Sequence, residues 1–191
     1  KKAKAEELAK QAASGSQESL IDWDSIGRRG KEFIVGGPTE EQLGEFLGHE
    51  AMRPVRVYVG LRCGETASDR AALALKELIR VGGFERSVLV VATPTGTGWL
   101  DPGAVDTLEY LRGGDTAIVS MQYSYLPSWI TILVDPDGSR DAAQILFEKV
   151  YGQSINKKET GPRPGDVAGS YTNADKAYRL LHWKAELSIE E

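Results

Sequence analysis

Val55, Val57 and Val59 alternate with Arg56 and Tyr58, a two-residue period that predicts a strand. Helical spacing follows, with Ala71, Leu75, Leu78 and Ile79 on one stripe and Gly82-Gly83 closing it. Val88-Leu89-Val90-Val91-Ala92 is a continuous apolar run, which predicts a strand buried on both faces. A Thr/Gly loop, Thr93 to Gly98, leads into a second helix marked by Ala104, Leu108 and Leu111 and closed by Gly113-Gly114. Ala117-Ile118-Val119 reads as a third, short strand. Asp141 to Tyr151 reads as a third helix with Ala143, Leu146, Phe147 and Val150 inside.

Strands and helices thus alternate as βαβαβα, which predicts a partial doubly wound parallel sheet in an α/β fold of three to five strands. Its ligand sites belong at the carboxyl ends of the strands, in the loops after Gly60, Ala92 and Ser120. Upstream, Thr39 with Gln42 three residues on is a capping-box signal for a short helix through Phe46. Trp23 to Phe33 gives no clear period. Residues 1–18 read as a charged helix and linker, 19–151 as the α/β domain, and 152–191 as a small α-rich tail with its last helix near Asn173.

Composition narrows the partners. The chain has 191 residues, 41% hydrophobic and 27% charged, enough for a real core. A net charge of -5 argues against a nucleic-acid groove or an anionic membrane surface. One cysteine, Cys63, excludes an internal disulfide, and with only His49 and His182 beside it a Cys/His zinc site lacks ligands. Tyr123 to Val134, broken by Pro127, is too short to span a bilayer, so the chain reads as soluble with no membrane span. It begins with Lys rather than Met and reads as a piece of a longer protein.

The densest chemical signal is Thr93-Pro-Thr-Gly-Thr-Gly-Trp99, between a strand and a helix. Backbone N–H groups of Thr95, Gly96, Thr97 and Gly98 are candidates to hold an oxyanion; the bland alternative is a sharp turn with Trp99 lidding the core. The loop lacks the third glycine of a dinucleotide motif and the Gly-Lys-Ser/Thr of a P-loop. Gly152-Gln153-Ser154-Ile155-Asn156 is one residue away from GxSxG, but a helix is expected before it, so Gly152 reads better as a helix C-cap than Ser154 as a nucleophile. His182 beside Trp183 reads as packing, and Asp135, Asp137 and Asp141 read as helix-start acids. The aromatics of Tyr123-Ser-Tyr-Leu-Pro-Ser-Trp129 suit either an acyl pocket or a core beneath a loop.

Residues 19–151 closely resemble a family of actinobacterial α/β-hydrolase-like membrane proteins. The resemblance is carried by Trp23-Asp-Ser-Ile-Gly-Arg28, Phe33 to Thr39, Arg56-Val-Tyr-Val-Gly-Leu61, Val90 to Pro102, Gly113-Gly-Asp-Thr-Ala-Ile-Val119 and Gln122 to Trp129. It implies a membrane-associated parent, ester or acyl hydrolysis by a serine, no cofactor, and a small-molecule ester or acyl substrate. It also implies that Thr93 to Gly98 supplies oxyanion donors and that a nucleophile elbow follows the helix ending at Tyr151. No such strand, elbow, acid or late histidine is found there.

Phe147 to Glu191 instead is similar to the C-terminus of UDP-glucose epimerases, through Gly161-Pro-Arg-Pro-Gly-Asp166, Tyr171, Lys176-Ala177 and Leu181-His-Trp-Lys-Ala185. That resemblance implies that Arg163 holds a nucleotide diphosphate and Asp166 contacts the ribose or orders the loop. The epimerase nucleotide loop and YxxxK pair are absent. The two resemblances meet near Phe147 to Gly152 and imply a chimeric chain. The expectation is an incomplete, inactive hydrolase domain; the alternative is a UDP-sugar-binding module. An exposed sheet edge would invite self-association.

Overall fold

The computed structural model describes residues 14–154. Three five- or six-residue strands, β1 (Val55–Val59), β2 (Val88–Ala92) and β3 (Thr116–Met121), form a parallel sheet in the order β1-β3-β2. Val57 pairs with Val119, and Val91 pairs with the same Val119 from the other side. The helices are α1 (Arg28–Gly36), α2 (Glu40–Leu47), α3 (Ala67–Arg80), α4 (Pro102–Leu111), α5 (Ser128–Val134) and α6 (Gly138–Ser154).

Local chemistry starts and stops these elements where the sequence indicates. The Thr39 hydroxyl accepts from the Gln42 N–H while the Gln42 side chain accepts from the Thr39 N–H, completing the capping box of α2. Thr66 and Asp69 do the same for α3. Asp101 caps α4 with Pro102 at its first position. Three features depart from expectation. The aperiodic stretch after Trp23 holds a one-turn 3₁₀ helix and α1, and the apolar stretch after Pro127 is α5. Nor does α6 stop at Gly152: it runs to Ser154.

The sheet has helices on both faces. Val55, Val57 and Val59 face α3, on which α6 packs as it covers β2 and β3; Arg56 and Tyr58 face α1 and α4. The strand expected to be the most buried is not. β2 lies at the edge and all five of its residues are half-buried, whereas β1 and β3 are buried throughout. β3, the least conspicuous strand in the sequence, is the centre. A continuous apolar run therefore marks a strand covered by helices without showing which neighbours it has.

This order fixes a crevice. β1 leads to α3 on one face, β2 leads to α4 on the other, and the chain after β3 returns to the α3 face as α6. The loops after β2 and β3 therefore part to opposite faces between adjacent strands, the topological switch point where open α/β sheets place ligands.

Candidate functional site

The loop after β2 fills that crevice. Pro94, Gly96 and Gly98 are buried, Thr95 and Thr97 half-buried. The Thr95 N–H donates to the Trp99 carbonyl at 2.9 Å, and the Gly98 N–H donates to the Thr95 carbonyl at 2.7 Å. The Thr95 hydroxyl accepts from the Trp99 N–H at 3.2 Å, and the Gly96 N–H donates to Ser128 Oγ at 3.1 Å. Three of the four candidate oxyanion amides are thus spent inside the protein. Thr97 is the remaining one: its N–H has no hydrogen-bond partner among the described residues.

Both glycines are required where they stand. Gly98 has φ +86°, and a methyl group there would strike the Tyr58 hydroxyl. A methyl on Gly96 would run into the Leu126 carbonyl, because the loop after β3 lies directly against it. The loop is held from below by Tyr58, whose hydroxyl donates to the Gly98 carbonyl at 2.8 Å. Burial, and secondarily the Cys63 thiol, pushes the Tyr58 hydroxyl up, so it stays a donor. From the side, Gln122 Nε2 reaches the Ser124 carbonyl at 2.8 Å and the Thr97 carbonyl at 3.4 Å. Thr131, buried in α5, donates toward the Leu126 and Pro127 carbonyls at 3.2 Å each.

Tyr58, Gln122, Ser128 and Thr131 had no visible part in this loop from sequence. The signal for Gln122 to Trp129 was present as a dense motif, but it pointed to aromatics. The structure uses the motif's polar residues and backbone to seat the loop. Its aromatics divide: Tyr123 is half-buried and packs against the core, whereas Tyr125 is 65% and Trp129 67% exposed, so only the latter two are not core. Trp99, at 39%, is a partial lid at most.

Beside the loop, a cleft of about 380 Å³ opens under α4, with Val90, Ala92, Trp99, Val105, Leu108 and Ile118 in its wall. It adjoins β2, which among the described residues pairs on one side only.

The other sequence candidates stand apart from this site. Ser154 is the last residue of α6, so a helix, not a strand, leads into it. His49 precedes β1, at the opposite end of the sheet, with Nδ1 2.8 Å from the Glu50 carbonyl. Arg163, Asp166 and His182 lie outside the described residues. Among the described residues no three His, Cys, Asp or Glu side chains group as a metal site, and no helix is long and apolar enough to cross a membrane.

Comparison with known proteins gives two kinds of match. Forty-five residues, 24% of the chain, are 44% identical to UDP-glucose 4-epimerase of Bifidobacterium longum and 47% identical to UDP-glucose 4-epimerase 2 of Arabidopsis thaliana. The chain spans 13% of the length of each of these relatives. No solved structure matches. A family model described as alpha/beta-hydrolase family matches residues 55–175, and one described as the N-terminus of that family matches residues 2–38. The first match takes in the whole sheet, the switch-point loop and α6, and on that evidence this chain belongs to the alpha/beta-hydrolase family.

Proposed function

We propose that this chain carries the oxyanion-stabilising side of an ester or acyl hydrolase site and lacks the group that attacks. The observation that supports the reading is the unspent Thr97 N–H at the switch-point crevice, held in a loop whose Thr95, Gly96 and Gly98 amides are engaged. A rigid donor at a strand end suits charge that appears only in a transition state. Thr97 is then the donor, and Thr95, Gly96 and Gly98 are its frame.

The handedness of the fold supports a place for the missing partner. The β1-to-β2 crossover runs on the α3 face. A right-handed crossover through α6, on that same face, would deliver a further parallel strand to the free edge of β2. Its carboxyl end would stand beside Thr97, where a nucleophile elbow needs its oxyanion donor. Among the described residues no serine occupies that place. The substrate is a small ester or acyl compound, with the apolar cleft beside β2 for its non-reacting part.

The membrane-associated, actinobacterial parentage, the division at residues 18 and 151, and a tail of separate descent belong to the same proposal. So does self-association through the β2 edge. The test is turnover of a chromogenic short-chain ester by the full chain. We expect none above the uncatalysed rate, and turnover abolished by a serine substitution would overturn the reading.

The short epimerase match favours one second reading, in which Arg163 and Asp166 hold a UDP-sugar. Isothermal titration with UDP tests it: saturable heat lost in Arg163→Ala supports it, and no heat removes it.

A further inference from the structure

Arg70 is a buried charge that the proposed hydrolase site does not use. The residue is 7% exposed. Its Nη1 donates to the Gly64 carbonyl at 3.2 Å and reaches the Glu65 carbonyl at 3.5 Å, while Nε is buried without a hydrogen-bond partner among the described residues. Arg56, Glu77 and Glu109, the other buried charges, are all in ion pairs. Arg70 has no carboxylate within ion-pair distance among the described residues.

Its position makes that loneliness more costly. Arg70 lies in the first turns of α3, where the helix dipole is positive and disfavours a cation. The Ala67 and Ser68 N–H groups at the head of α3 have no hydrogen-bond partner among the described residues. Asp69, the preceding residue, is turned to Thr66, where it caps the helix at 2.6 Å from the hydroxyl. Burial pulls the Arg70 guanidinium below its ordinary value, and the Cys63 thiol and the Tyr125 hydroxyl are the polar groups besides Asp69 that act on it electrostatically. Cys63 itself lies 3.1 Å from Ser25 Oγ.

The guanidinium reaches the Gly64 carbonyl just ahead of α3, so a buried guanidinium without an anion and two helix-head amides without a partner both belong to the segment that follows β1. A single negatively charged group there can accept from both. We propose that Arg70, with the Ala67 and Ser68 amides, binds the oxyanion of a small molecule, a phosphate or carboxylate, at the carboxyl end of β1. The proposal goes beyond hydrolysis and does not depend on it, because binding an anion here requires neither Thr97 nor a nucleophile.

The test is thermal unfolding of the full chain at constant ionic strength, titrated first with inorganic phosphate and then with acetate. A saturable rise in Tm with phosphate assigns the site to phosphate groups, and one with acetate alone assigns it to carboxylates. Arg70→Met is expected to abolish the rise. It is also expected to unfold, unliganded, at no lower temperature than the wild type, since it removes an unpaired buried charge. A structural arginine would behave oppositely. Should that variant fail to fold, the Arg70 Nε–H resonance of the wild type decides: a saturable shift with either anion supports the site. No saturable change with either anion, or the same rise in Arg70→Met, overturns it.

Discussion

Arg56 Nε and Nη2 meet the two Glu109 carboxylate oxygens at 2.8 and 2.6 Å, tying β1 to α4 across one face of the sheet. Nη1 of the same guanidinium donates to the Phe33 carbonyl of α1 at 2.7 Å, and Nη2 also reaches Asp106 at 2.5 Å. The guanidinium stacks 4.7 Å from the Phe33 ring centroid. One side chain thus joins three elements.

Removing Glu109 leaves the buried Arg56 with only the partly exposed Asp106 as counter-charge. Glu109→Leu is expected to cost up to about 3–5 kcal/mol, the loss for a buried charge left wholly unpaired. The double substitution Arg56→Met with Glu109→Leu should recover most of that loss, because both charges go together. Urea unfolding of the two variants checks this. A double variant as unstable as the single one would show that Arg56 matters mainly through its bonds to Phe33 and Asp106.

Glu77 gives the fold an acid-sensitive joint. It is fully buried, and its oxygens accept from Ser19 Oγ at 2.7 Å, the Leu20 N–H at 3.0 Å, and Arg80 at 2.7 and 2.9 Å. Burial raises its carboxyl, but those hydrogen bonds outweigh burial and hold it below the ordinary 4.5. Its contribution is therefore complete above about pH 4.5 and is lost as pH falls through the lower folded value. Thermal melts from pH 6 to about 3 should show a steep fall that is shallower in Glu77→Gln. Parallel curves would exclude Glu77 as the titrating group.

The switch-point loop should exchange its amide protons unevenly. Gly96 and Gly98 N–H groups are hydrogen-bonded and buried, so they should exchange slowly; Thr97 should exchange fast. Ser128→Ala should release Gly96 selectively. Gly98→Ala should destabilise the chain by at least about 1–2 kcal/mol, the cost of a left-handed residue, since its methyl also meets Tyr58. Slow exchange at Thr97 would mean that this amide is engaged and not available to a substrate.

α5 exposes Trp129, Ile132, Leu133 and Val134 at 64–78%. Trp129→Ser and Leu133→Ser should change stability by less than about 0.5 kcal/mol, because nothing in the described fold rests on them. They should lower binding of an apolar dye and any self-association seen by sedimentation velocity. A large loss of stability would place these side chains against a part of the chain outside residues 14–154.

Periodicity and caps made much of this fold legible. Thr39 and the paired glycines mark helix ends through local chemistry, and the βαβαβα order implies a parallel sheet with helices on its faces. Strand order was not legible, because Val88 to Ala92 is equally apolar at an edge or a centre. Arg56 and Tyr58 look like the solvent face of a strand. Both are buried, and only the distant Glu109, Phe33 and Gly98 explain why. The Thr93 to Gly98 loop was visible from its glycines, yet which amide stays unspent depends on Ser128 and Trp99, which no local rule connects to it. α5 was hidden because its apolar residues face outward, so they carry no core period.

The central claim is that the chain holds a cradle for a developing oxyanion without a serine to attack. Intact-mass spectrometry after treatment with a fluorophosphonate probe tests it most directly. The account predicts an unmodified chain; a stoichiometric adduct mapped to Ser154, or to any other serine, would contradict it.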